Sequence, residues 1–159
     1  MDSAIKGLFE EWQYGRNIIR WFIEELDDSD LDKELPRENL NTIRKQCEEL
    51  LEVQACYVEG IETGVIEFGD YKDETMPGNT SDQKLLERCE KLDSQLESKL
   101  EEIEGDVTVE WFGQDKTIHY HLSAMISHES MHIGQIVAFC YATGITIPEK
   151  IANIMALSH

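Results

Sequence analysis

The sequence predicts an all-α protein, a four-helix bundle with a short β-hairpin-like insertion before its last long helix. Three observations lead there. Four long stretches carry apolar residues at three- and four-residue spacing, the signature of a helix with one buried face. Only three prolines and ten glycines punctuate 159 residues. Strand-like alternation is confined to one short segment. Amphipathic helices of six or seven turns with no strand network bury their stripes best against one another.

The first helix is expected from about Ser3 to Leu26, with Ile5, Leu8, Phe9, Trp12, Ile19, Phe22, Ile23 and Leu26 on its apolar stripe. "DDSDLDKELPREN" breaks it, and Pro36 and Asn39 mark a new start. The second runs from about Leu40 to Thr63 on Leu40, Ile43, Cys47, Leu50, Tyr57 and Ile61, with Gly64 placed to cap it. After the loop "EFGDYKDETMPGNTSD" the third helix, about Ser81 to Glu104, has a narrower, near-heptad seam. "VTVEWFGQDKT" alternates and then turns, as a hairpin does. Thr117 can cap the fourth helix, about Ile118 to Thr143, and Gly144 can stop it. A short helix is expected after Pro148. The whole chain, 1–159, reads as one domain.

The formal net charge is −19, spread along the chain. Such a surface repels phosphate backbones and anionic lipid, so neither nucleic acid nor membrane is an expected partner. No segment looks like a signal peptide or a membrane span. Cys47, Cys56, Cys89 and Cys140 have no CxxC spacing and read as reduced, packed thiols, which points to the cytoplasm. Apolar bundle faces make a homodimer an expectation.

Chemistry concentrates in "MISHESMHIGQIVAFCYATG". His128 and His132 are four residues apart, about 6 Å along one helix face, so both imidazoles can reach one tetrahedral ion. A hydrogen-bonded, metal-free core pair has the same spacing. His121 shares the stripe but lies too far from His132 to share an ion, His119 is off it, and His159 is terminal. The string also spells the His-Glu-x-x-His of metalloproteases. Here, however, Glu129 sits about 100° round the helix from His128, and no third ligand follows downstream. Glu129 is thus a flanking residue and a candidate proton shuttle. Gln135, one turn past His132, is a candidate to orient a ligand or bound water, with packing beside Gly134, which allows close helix approach, as the competing explanation.

The arrangement His128, His132, Gly134 and Gln135 on the last long helix resembles the HxxxHxGQ signature of the DinB/YfiT-like family. That resemblance implies a bundle in up-down-down-up order. It also implies a divalent metal, zinc or nickel, held by two histidines of the fourth helix and one of the second. The activities it implies act on small-molecule substrates: thiol S-transfer with a low-molecular-weight thiol, or thiol-dependent isomerisation; an ion that activates water instead would make the reaction a hydrolysis. A second reading is a family member that has lost catalysis and serves as a binding or regulatory protein.

The chain departs from the family pattern on the second helix, where the position of the expected histidine is Glu49. Two histidines and a carboxylate also suit zinc, iron or manganese. On the helical wheel Glu49 lies at the edge of the buried face, whereas Glu48, Glu52 and Glu59 point outward. Gln46 and Gln54 lie nearer its centre, so Gln46 is a neutral substitute for Glu49. Tyr57 belongs to the stripe and can line a pocket. Trp111 and Phe112, beside the hairpin turn, are expected to border the site.

Overall fold

The computed structural model describes residues 1–69 and 80–157; His159 lies outside the described residues. Its elements are α1 (Ser3–Glu25), α2 (Asp28–Leu31), α3 (Ile43–Thr63), β1 (Val65–Ile66), α4 (Asp82–Glu102), β2 (Thr108–Trp111), β3 (Gln114–Thr117), α5 (Ile118–Thr143) and α6 (Glu149–Ile154).

Short polar side chains set the helix starts. Asp2 accepts from the amides of Ala4 and Ile5, Thr42 from Lys45, Ser81 from Lys84 and Thr117 from Tyr120. Each satisfies amides that the first turn leaves without partners. Gly64 (φ 87°) and Gly144 (φ 72°) end α3 and α5 in the left-handed region that a side chain disfavours. α3 starts at Ile43 rather than near Leu40, because Leu40 itself has φ 48° and cannot belong to a right-handed helix.

Two apolar clusters fill the bundle and give its topology. One joins Ile18–Leu26 of α1 to the first half of α3, the first half of α4 and the second half of α5. The other joins Ile5–Trp12 to the second halves of α3 and α4 and the first half of α5. Hence α1 and α5 run one way and α3 and α4 the other, which is up-down-down-up. α1 packs between α5 and α4, and α3 between the same two helices, so α3 and α5 are antiparallel neighbours.

The expected hairpin forms, Thr108–Trp111 against Gln114–Thr117. It also takes a third strand, because β1 pairs parallel with β2 through Val65–Glu110 and Ile66–Trp111. Ile66 lies against Gly60, where an added Cβ would meet Ile66 Cγ1 at 2.4 Å. The four cysteines are buried and form no disulfide. No described helix is long and apolar enough to cross a membrane.

Candidate metal centre

Antiparallel packing of α3 on α5 sets the middle of one against the middle of the other, and the site lies there. Glu49 projects from α3, His128 and His132 from α5. His132 Nε2 is 2.8 Å from Glu49 Oε2, and His128 Nε2 is 3.4 Å from Glu49 Oε1. The two imidazole centroids are 4.7 Å apart with planes at 70°. One ligand atom from each residue falls within 4.8 Å of the other two.

Burial is uneven across the triad. The side chain of His132 is 1% exposed, those of His128 and Glu49 24% and 29%, so the site opens on one side only. Partial burial would raise the Glu49 pKa, but the two imidazoles outweigh it and hold the carboxyl at about 2. Glu49 is therefore an anion at neutral pH, as a ligand must be.

The donor set fits a divalent ion on three counts. Tetrahedral bonds of about 2.0–2.2 Å place neighbouring donors roughly 3.4 Å apart, a spacing that the His128–Glu49 approach matches and the shorter His132–Glu49 approach reaches by a small outward shift. Glu49 Oε2 is nevertheless not aligned in a hydrogen bond, and it has no hydrogen-bond partner among the described residues. Two nitrogens and a carboxylate oxygen also leave a fourth tetrahedral position free.

Gln46 and Gln135 are displaced from the triad toward the same end of the bundle, each about one turn away, because their helices run in opposite directions. Gln46 is fully buried and, among the described residues, neither of its amide atoms has a hydrogen-bond partner, nor has the buried Gln135 Oε1. His132 Nδ1 lacks a partner among the described residues as well. Buried polar atoms normally find one, so these groups are free to accept or donate to a bound ligand. Tyr57, buried two turns beyond Glu49, lines a cavity of about 10 Å³ together with His128, room for a single water.

Glu129 is drawn away from the triad. Its carboxylate is buried against α1, Oε1 lying 3.0 Å from Arg16 Nε and Oε2 accepting from Arg16 Nη2 at 3.2 Å. Burial pushes this carboxyl above the usual range, and Arg16 partly offsets that. Arg16 Nε also lies 3.9 Å from Asp93 of α4, which accepts from Gln54 of α3 at 3.0 Å. One buried polar network thus ties all four long helices at a single level beside His128.

Three expectations are corrected. Glu48 is buried, not a surface group: its carboxylate accepts from the Thr80 amide at 3.1 Å, where the chain enters α4. Trp111 and Phe112 do not border the triad. They pack with Tyr120 toward His121, about 10 Å down α5 from His128, and Phe112 is 77% exposed. Gly134 allows no close helix approach, since a Cβ there would meet nothing within 4 Å. The sequence reading also missed Arg16. Its signal was present: Arg16 falls four residues after Trp12 on the buried stripe, and Glu129 is the lone acid of an otherwise uncharged helix.

The profile of the DinB family matches residues 1–150. The chain belongs to the DinB family. A crystal structure of a DinB-like protein from Bacillus cereus ATCC 10987 superposes with a TM-score of 0.70 at 19% identity, covering 90% of this chain and 95% of that one. That likeness supports the four-helix architecture of this DinB protein. No curated protein matches the sequence.

Proposed function

We propose that this DinB protein is a metal-dependent enzyme that holds one divalent ion with Glu49, His128 and His132. The reaction is thiol S-transfer with a low-molecular-weight thiol, or hydrolysis. The observation that carries the reading is the convergence of one carboxylate and two imidazole nitrogens within 4.8 Å, with Glu49 and His128 partly exposed and His132 buried. An ion held there supplies Lewis acidity, which makes a thiol or water nucleophilic at neutral pH. Zinc and nickel fit this donor set, and manganese and iron are the alternatives.

The chain's own residues have distinct tasks. Buried His132 anchors the ion, while His128 and Glu49 stand at the open edge where a small substrate reaches it. Glu49 contributes the negative charge that two neutral imidazoles lack. Gln135 and Gln46 offer amide groups to orient a ligand or a substrate polar atom. The Arg16–Glu129 pair locks α5 against α1, which keeps both histidines facing α3.

The test is turnover with a panel of thiols and electrophiles, and of simple esters and amides, after loading with zinc, nickel or manganese. Metal-dependent turnover abolished by His132→Ala supports the reading. No turnover with any metal, thiol or hydrolysable substrate refutes it and leaves a binding protein.

A further inference from the structure

The turn of the hairpin carries a side chain that its backbone disfavours. Phe112 and Gly113 form the two-residue loop between β2 and β3, with φ of 48° and 74°. Two positive φ angles suit Asn-Gly or Gly-Gly, because a Cβ crowds the backbone in the left-handed region. A bulky aromatic residue there is an outlier. Burial does not offset the strain, since Phe112 is 77% exposed. Strain without a packing return points to a task outside folding.

Phe112 does not stand alone. Its ring stacks on Phe68, with centroids 6.0 Å apart and planes at 30°, and lies 5.1 Å from Trp111. Trp111 in turn meets Tyr120 at 5.5 Å. Phe68 and Tyr120 are 38% and 42% exposed. The four rings come from the chain just after β1, from the hairpin and from the first turn of α5. The fold thus gathers them into one aromatic platform at the hairpin end of the seam between α3 and α5. Lys116 Nζ lies 5.2 Å over the Tyr120 ring, which leaves stacking to Phe68, Trp111 and Phe112.

The platform is continuous with the ion site. Tyr57 packs edge-on against Phe68 at 6.0 Å and against His121 at 5.9 Å, and it lines the small cavity that His128 also borders. His121 and His128 are separated by about 10 Å of helix. Val53 and Ala124, uncharged and partly exposed, lie on the seam between them.

We propose that the platform holds the body of the substrate whose reactive atom meets the ion, and that this substrate is an uncharged molecule with a flat aromatic part about 10 Å from the reacting atom. Flat rings pack on aromatic side chains in the stacked and edge-on arrangements that these residues already adopt among themselves. Charge selects a small neutral molecule over larger occupants. Exposed Glu67 and Glu110 adjoin Phe68 and Trp111 in a chain of net charge −19, so a second acidic chain, nucleic acid and anionic lipid are all repelled. The proposal deepens the metal reading and rests on it for the reactive end alone.

Two titrations test it, the first without metal. Metal-free protein is titrated with 2-naphthylmethanol, a neutral flat probe, and followed by NMR. Shifts are expected at Phe68, Trp111, Phe112, Gly113 and Tyr120, with cyclohexylmethanol shifting them much less. Phe112→Asn gives the Asn-Gly pair that the turn favours. It should weaken binding about five- to tenfold while raising the melting temperature by a few degrees. In the second titration, zinc-loaded protein receives naphthyl thiols whose spacers set the ring about 5, about 10 or about 15 Å from the sulfur. Affinity should peak at the middle length in the parent and lose that dependence in Phe112→Asn. No shifts at the platform, binding indifferent to Phe112→Asn, or a variant that melts lower overturns the platform. Platform binding with no preference among spacers overturns its link to the ion. If zinc is not taken up, the spanning substrate falls with the metal reading, and the first titration still decides the platform.

Discussion

Replacing Arg16 by methionine isolates the buried frame on which the site is built. Arg16 and Glu129 are both nearly inaccessible, with side-chain exposures of 2% and 3%. Arg16→Met keeps the length of the side chain but strands the Glu129 carboxylate in the core. Breaking one side of a buried pair costs about 3–5 kcal/mol, most of it the penalty of the uncompensated charge. For a chain of 159 residues each kcal/mol moves the melting temperature by about 2–4 °C, so the expected fall is roughly 6–20 °C. Arg16→Met/Glu129→Met removes both charges, and it should recover most of that loss because an apolar pair of similar volume is often nearly neutral. Urea and thermal denaturation of the parent, both single variants and the double variant close the cycle. Single variants costing less than about 1 kcal/mol, or a double variant as damaged as the sum of the singles, would refute the argument.

Two further outcomes follow from other sites. His121 Nε2 bonds to the Val109 carbonyl in the hairpin, and burial holds its pKa below 6.5. The unfolded chain then binds the proton more readily, so stability is complete above about pH 6.5 and declines as pH falls below it. His121→Gln, which can keep the bond without titrating, should show a flatter dependence than the parent between pH 5 and 7 in thermal melts, and matching curves would count against it. Gly60→Ala should destabilise by about 1–3 kcal/mol, because the new methyl would drive Ile66 and β1 off α3. A neutral effect in urea denaturation would show that β1 is not held this way.

Much of the frame was legible because local chemistry sets it. Thr117 and Gly144 bound α5 at the residues expected from the sequence, since a side-chain cap and a left-handed glycine are local devices. Glu49 came from the position where the family resemblance expects a histidine, and the wheel of its helix set it at the edge of the buried face. What escaped depends on partners far along the chain. Glu48 is buried by the segment entering α4, so its own wheel position misleads. Arg16 stands on the buried stripe, but the partner that explains it, Glu129, is 113 residues away. β1 has two residues, too short for any periodicity, and exists only because β2 offers an edge beside it. Close helix approach at Gly134 was one of two readings of that stretch, and here the helix beside it leaves a cleft instead.

The central claim is a three-ligand ion site, and metal content by mass spectrometry on untagged protein tests it most directly. The parent, Glu49→Ala and His128→Ala should be compared after incubation with zinc, nickel and manganese. The account predicts one ion per chain in the parent and loss of it in both variants. An ion retained in Glu49→Ala would remove the carboxylate from the site, and no ion in the parent with any of the three metals would contradict the account outright.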